Sequence, residues 1–87
     1  MAAPPIRNQI RLLRFQTGEM TQGQLAERIG MTRQTIAAIE KGKYSPSLEA
    51  AFRIAAVFGV SLADVFQYDG ENDRQFQKLL KKSASRD

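Results

Sequence analysis

The stretch from Met31 to Ser47, MTRQTIAAIEKGKYSPS, holds the side chains best placed to meet a partner. Read as a short helix, it turns Ile36 and Ile39 to one side. Gln34, Ala37, Ala38 and Lys41 fall on the other, with Arg33 at the leading edge. That outward set is neither a charged solubilising surface nor a greasy one. It is small and hydrogen-bonding. No comparable set exists for catalysis. The chain has no histidine and no cysteine, which removes the commonest general base, the commonest zinc ligand and every thiolate site. Glu19, Glu27, Glu40, Glu49 and Asp64 stand singly, with no glycine-rich phosphate loop among them. Nothing brings a nucleophile to a base, so neither enzyme activity nor a cofactor or metal is expected.

The elements that must carry this face fit into 87 residues, enough for one small domain. The formal net charge of +4 favours an anionic partner only mildly. No apolar run approaches the roughly 20 residues that span a bilayer. The opening MAAPP lacks the charged and apolar regions of a signal peptide. A cytoplasmic protein with no membrane attachment is expected.

Helix punctuation is frequent and strand signals are nearly absent. Pro4 and Pro5 lead into a first helix at about Ile6 to Gln16. Thr21 opens a second, with Gln24 completing a capping box and Gly30 closing it. Thr32 caps a third, which ends at Gly42. Ser47 caps a fourth, Leu48 to Phe58, apolar through Leu48, Ala51, Phe52, Ile54, Ala55 and Phe58. Ser61 caps a short fifth, Leu62 to about Phe66. Residues 1–5 read as a flexible arm and 6–66 as the domain. Residues 67–87 read as a tail, with an amphipathic helix over 73–82 through Phe76, Leu79 and Leu80 against Lys78, Lys81 and Lys82. Short helices on short loops make a compact all-α fold.

Within it, Ala26 lies four residues before Gly30, and Ile36 and Ile39 follow it by six and nine. A small residue lets the second helix cross closely, and a glycine allows a left-handed turn. These are the steric needs of a helix-turn-helix over 22–41 that presents residues 33–41 outward.

The block MTQGQLAERIGMTRQTIAAIEKGKYSPSLEAAFRIAAVFGVSLADVF resembles the Cro/C1-type (Xre-like) helix-turn-helix regulators, with the likeness running from about Ile6 to Phe66. The resemblance implies a five-helix lambda-repressor-like DNA-binding domain, here with a C-terminal extension. It implies a homodimer on a palindromic stretch of double-stranded DNA, with two reading helices roughly 34 Å apart. Gln22 would bond a phosphate at the start of the second helix. Arg33 and Gln34 would enter the major groove, where arginine can grip guanine and glutamine adenine. Thr35 and Ala38 stand at positions of base or phosphate contact. Lys41, Lys43, Tyr44 and Ser45 would address phosphates. Thr32 is a cap that lies in the same contact region. Whether Arg33 meets base or phosphate is open.

The resemblance also implies a brace between an arginine of the first helix and Glu40. RFQTGEMTQ has one residue more than many relatives between that arginine and the second helix. Arg14 is the expected partner, and Arg11 is the alternative unless the loop absorbs the extra residue. Val60, Leu62, Val65, Phe66 and Tyr68 form an apolar cluster where the family tends to dimerise. The expected function is transcriptional regulation, as a repressor. The alternative is a DNA-binding antitoxin that takes a protein partner through its tail.

Overall fold

A computed structural model describes residues 5–84 of the chain. Of the expected N-terminal arm only Pro5 lies within the described residues. The chain begins with a short strand, β1 (Ile6–Asn8), and runs through five helices, α1 (Ile10–Gln16), α2 (Gln22–Ile29), α3 (Arg33–Glu40), α4 (Leu48–Phe58) and α5 (Leu62–Val65). A second strand, β2 (Phe66–Tyr68), a single 3-10 turn over Gly70–Asn72 and a last helix, α6 (Arg74–Ala84), complete it.

Helices α2 to α5 start where side-chain oxygens can satisfy free N–H groups. Thr21 accepts from the Gln24 amide, and the Gln24 side chain answers the Thr21 amide, a complete capping box. Thr32 caps α3 through the Thr35 amide, and Ser47 caps α4 through the Ala50 amide. Ser61 and Asp64 close a second capping box on α5. The Ser61 hydroxyl, then its amide, hold the Asp64 carboxyl below the usual carboxylate range.

Two helices, α2 and α4, are capped by glycines in the left-handed region, Gly30 and Gly59. Gly30 (φ 75°) turns the chain between α2 and α3, and the Met31 amide closes the turn on the Ala26 carbonyl at 2.9 Å. Ala26 itself is buried, which is what allows α3 to cross α2 closely. The core gathers Ile10, Met20, Leu25, Ile29, Ile36, Ile39, Ile54 and Val65 between α1 and α5.

The first helix starts four residues later than its Pro-Pro lead suggests. Ile6–Asn8 is extended and pairs antiparallel with β2, Ile6 opposite Tyr68 and Asn8 opposite Phe66. The Asp69 amide extends the ladder to the Pro5 carbonyl at 2.6 Å, and the Gln9 amide reaches the Val65 carbonyl at 2.8 Å at its other end. Phe66 therefore belongs to a strand and not to the fifth helix.

The apolar face of α4 also differs from its sequence reading. Ala50, Ala51, Ile54 and Ala55 are buried, while Leu48 and Phe52 are 67% and 53% exposed. A narrow alanine-rich face packs closely on α2 and leaves the two large side chains outside. The tail helix forms over a slightly longer span than 73–82 and buries none of its residues. It meets the chain before it through a ring pair, Tyr68 and Phe76, at 6.4 Å and a hydrogen bond from Gln77 Nε2 to the Gly70 carbonyl at 2.9 Å.

A Cβ at Gly30 would meet nothing within 4 Å, so replacing this glycine costs backbone strain alone. Gly30→Ala should destabilise the domain by about 1 kcal/mol in urea denaturation without changing the slope of the transition.

Candidate nucleic-acid interface

α3 has only eight residues and cannot hold an orientation unaided. Its inner face is fixed by Ile36 and Ile39, both fully or nearly fully buried. Its C-terminal end is held by polar bonds from three other elements.

The strongest bond comes from α1. Arg14 grips Glu40 with two nitrogens, Nε to Oε2 at 2.7 Å and Nη2 to Oε1 at 3.0 Å. Its third nitrogen, Nη1, donates to the Met20 carbonyl at 2.8 Å, tying the loop before α2 into the same cluster. The pair is mostly buried, with side chains 14% and 9% exposed, so each charge depends on the other. From α2, Gln22 Nε2 donates to Glu40 Oε1 at 3.2 Å. Gln22 thus braces α3 directly.

Of the two candidate arginines, Arg14 is the one on Glu40, and the loop absorbs the extra residue. Gly18 (φ 62°) and Glu19 (φ 55°) are both left-handed. Two such residues in succession curl the chain, so that the Met20 amide returns to the Arg14 carbonyl at 2.9 Å. Glu19 is the one non-glycine residue with positive φ among the described residues.

The third hold was absent from the sequence reading. Asn8, on β1, donates from Nδ2 to the Ile39 carbonyl at 3.0 Å. Its Oδ1 accepts from the Ile10 amide at 3.2 Å. One side chain therefore starts α1 and ends α3. A lone asparagine after two prolines carries no sequence signal for this, because its partner lies 31 positions away.

On this footing the outer face of α3 is arranged as follows. Arg33 and Gln34 are exposed at its N-terminal end, Thr35, Ala37 and Ala38 are half-buried along it, and Lys41 is exposed at its exit. A Cβ at Gly23 would lie 3.9 Å from Arg33 Cδ, which puts the Arg33 stem against the first turn of α2. The Thr32 hydroxyl is engaged twice, with the Thr35 amide and with the Thr35 hydroxyl at 2.9 Å. Beyond α3, Gly42 (φ 75°) turns the chain, and the Lys43 amide bonds back to the Ala38 carbonyl at 2.9 Å. Lys43, Tyr44 and Ser45 follow, all exposed.

The apolar cluster expected at the pairing end divides. Val65 has no exposed surface and belongs to the core, so it is withdrawn from that set. Val60, Leu62 and Phe66 are half-buried and Tyr68 is exposed. Desolvation, then the hydrogen bond to Asp73, raise the Tyr68 phenol above its ordinary value and keep it a donor. Leu62 and Phe66 line an apolar cleft of about 450 Å³ that also takes in Ile6, Tyr44 and Leu48. Tyr44 and Ser45 thus stand at the edge of a greasy cleft as well as beside the exit of α3. Among the described residues no group of His, Asp, Glu or Cys could hold a metal ion, and no helix is long and apolar enough to cross a membrane.

The Helix-turn-helix family matches residues 15–65, more than half of the chain. An uncharacterized HTH-type transcriptional regulator of Methanocaldococcus jannaschii is 56% identical over 52 residues, covering 60% of this chain and 79% of that protein. One from Archaeoglobus fulgidus is 47% identical over 66 residues, covering 76% and 93%. One from Bacillus subtilis is 45% identical over 67 residues, covering 77% of this chain and all of that protein.

The three holds are unequal in consequence. Arg14→Ala leaves Glu40 mostly buried without its charge partner and should cost about 2–4 kcal/mol by thermal or urea denaturation. Asn8→Ala removes neutral hydrogen bonds and should cost about 1 kcal/mol.

Proposed function

The chain belongs to the Helix-turn-helix family, and on that premise we propose that it is a transcriptional regulator that binds double-stranded DNA in a sequence-specific way. The observation that carries this is α3 itself, a helix with a small, hydrogen-bonding outer face and an end held by Arg14, Gln22 and Asn8. Reading bases demands that geometry, because a side chain misplaced by an ångström loses its base edge.

Gln34 is the principal reader in this proposal. Thr35 and Ala38, half-buried, allow close approach to the groove. Arg33 leans on the first turn of α2, so it belongs with Gln22 on the phosphate side. Lys41, Lys43, Tyr44, Ser45 and Thr32 complete the backbone contacts.

The protein acts as a homodimer on an inverted repeat and represses by occupying promoter DNA. Pairing is supported by the apolar cleft of Leu62, Phe66, Ile6 and Leu48, a surface that a monomer leaves wet. A second reading, a DNA-binding antitoxin with a protein partner on its tail, is favoured by the exposed Phe76, Leu79 and Leu80 of α6.

Selection from random duplex DNA at fixed salt should return an inverted repeat with half-sites about one helical turn apart. A single asymmetric site would remove the dimer, and no enrichment would remove the function. Gln34→Ala should weaken specific binding by about 1–3 kcal/mol and relax preference at one base pair. Lys43→Ala should lower affinity on every sequence and reduce the salt slope by about one.

A further inference from the structure

A second cleft lies beside α3, opposite in character to the apolar one. It has a volume of about 430 Å³ and is lined by Arg11, Arg14, Gln22, Ala37, Glu40 and Lys41, with Asn8 at its edge. Three cations and one carboxylate meet there. Arg14 and Glu40 cancel each other through their two-point contact. The charges left over are Arg11 and Lys41, both exposed. Among the described residues the Arg11 side chain makes no hydrogen bond or ion pair, and the carboxylate beside it is held by Arg14.

We propose that Arg11 is a DNA-backbone ligand, gripping a phosphodiester across this cleft together with Lys41. This inference rests on the DNA-binding reading above and adds a residue of α1 to the contact surface. Ala37, on the outer side of α3, shares the cleft, so a phosphate seated there flanks the groove that α3 enters. The wall of the cleft is the Arg14–Glu40–Gln22 cluster, whose bonds are already made, so the seat is rigid before the anion arrives. Glu40 does not repel the anion strongly, because Arg14 and Gln22 both donate to its oxygens. A guanidinium can offer two parallel N–H groups to the phosphate oxygens.

The test uses the full chain and duplex DNA, with affinity measured from 50 to 200 mM salt. Arg11→Ala should lower affinity on specific and random duplexes alike and flatten the log–log salt slope by about 0.9. The wild-type advantage should therefore shrink about 3.5-fold across that salt range. The thermal midpoint should not move, and Arg11→Gln substitutes if alanine lowers it. Arg11→Lys, which keeps the charge, should keep the slope. A wild type that binds duplex DNA with a slope unaffected by Arg11→Ala overturns this inference alone. A wild type that binds no duplex overturns the functional reading and this one with it. Inorganic phosphate that raises the thermal midpoint only when Arg11 is present, with the DNA slope unchanged, assigns the cleft to free phosphate and also overturns it.

Discussion

The structure turns on a carboxylate. Glu40 ends α3, and Arg14 and Gln22 converge on its two oxygens from two other helices. Arg14 also takes the Met20 carbonyl, so a single guanidinium joins α1, the loop before α2 and the end of α3. Helices of seven and eight residues bury too little to set their own angles. Apolar packing brings them together without direction, whereas a two-point ion pair has a required plane and distance. Exchange of this pair for apolar side chains would preserve compactness and lose that constraint.

Around this point the protein separates two kinds of surface. A polar cleft borders α3 on the side of Arg11 and Lys41, and an apolar cleft borders its exit on the side of Ile6 and Leu48. Asn8 lines both. The hydrogen bond that its side-chain amide donates to the Ile39 carbonyl lies where the two clefts share this residue. The alanine-rich inner face of α4 contributes by leaving Leu48 for the apolar cleft instead of the core.

Much of this was legible in the residues. Caps at Thr21, Thr32, Ser47 and Ser61 act within three residues, so a local pattern announces them. The inner stripe of α3 and the close crossing at Ala26 follow from periodicity alone. Arg14 was the expected partner of Glu40 and is the one found there, but the means was not legible, because it depends on how Gly18 and Glu19 curl the loop. Nor was the sheet. Its strands have three residues each, too few to show alternation, and Ile6 pairs with a residue 62 positions away. Phe52 misleads for another reason, since an amphipathic pattern records which face is apolar and not how much of it the neighbouring helix covers.

That sheet joins the two ends of the domain, and its position sets an order of assembly. The bonds within α2, α3 and α4 and their turns close short loops, whereas β1 meets β2 only after nearly the whole domain has been gathered. Chain entropy therefore favours the helical centre first and the strand pair last. Asn8, on the strand that closes last, and Arg14, on the first helix, therefore hold the end of α3 through loops of 31 and 26 positions, so α3 owes its fixed orientation to contacts that only the assembled chain can make.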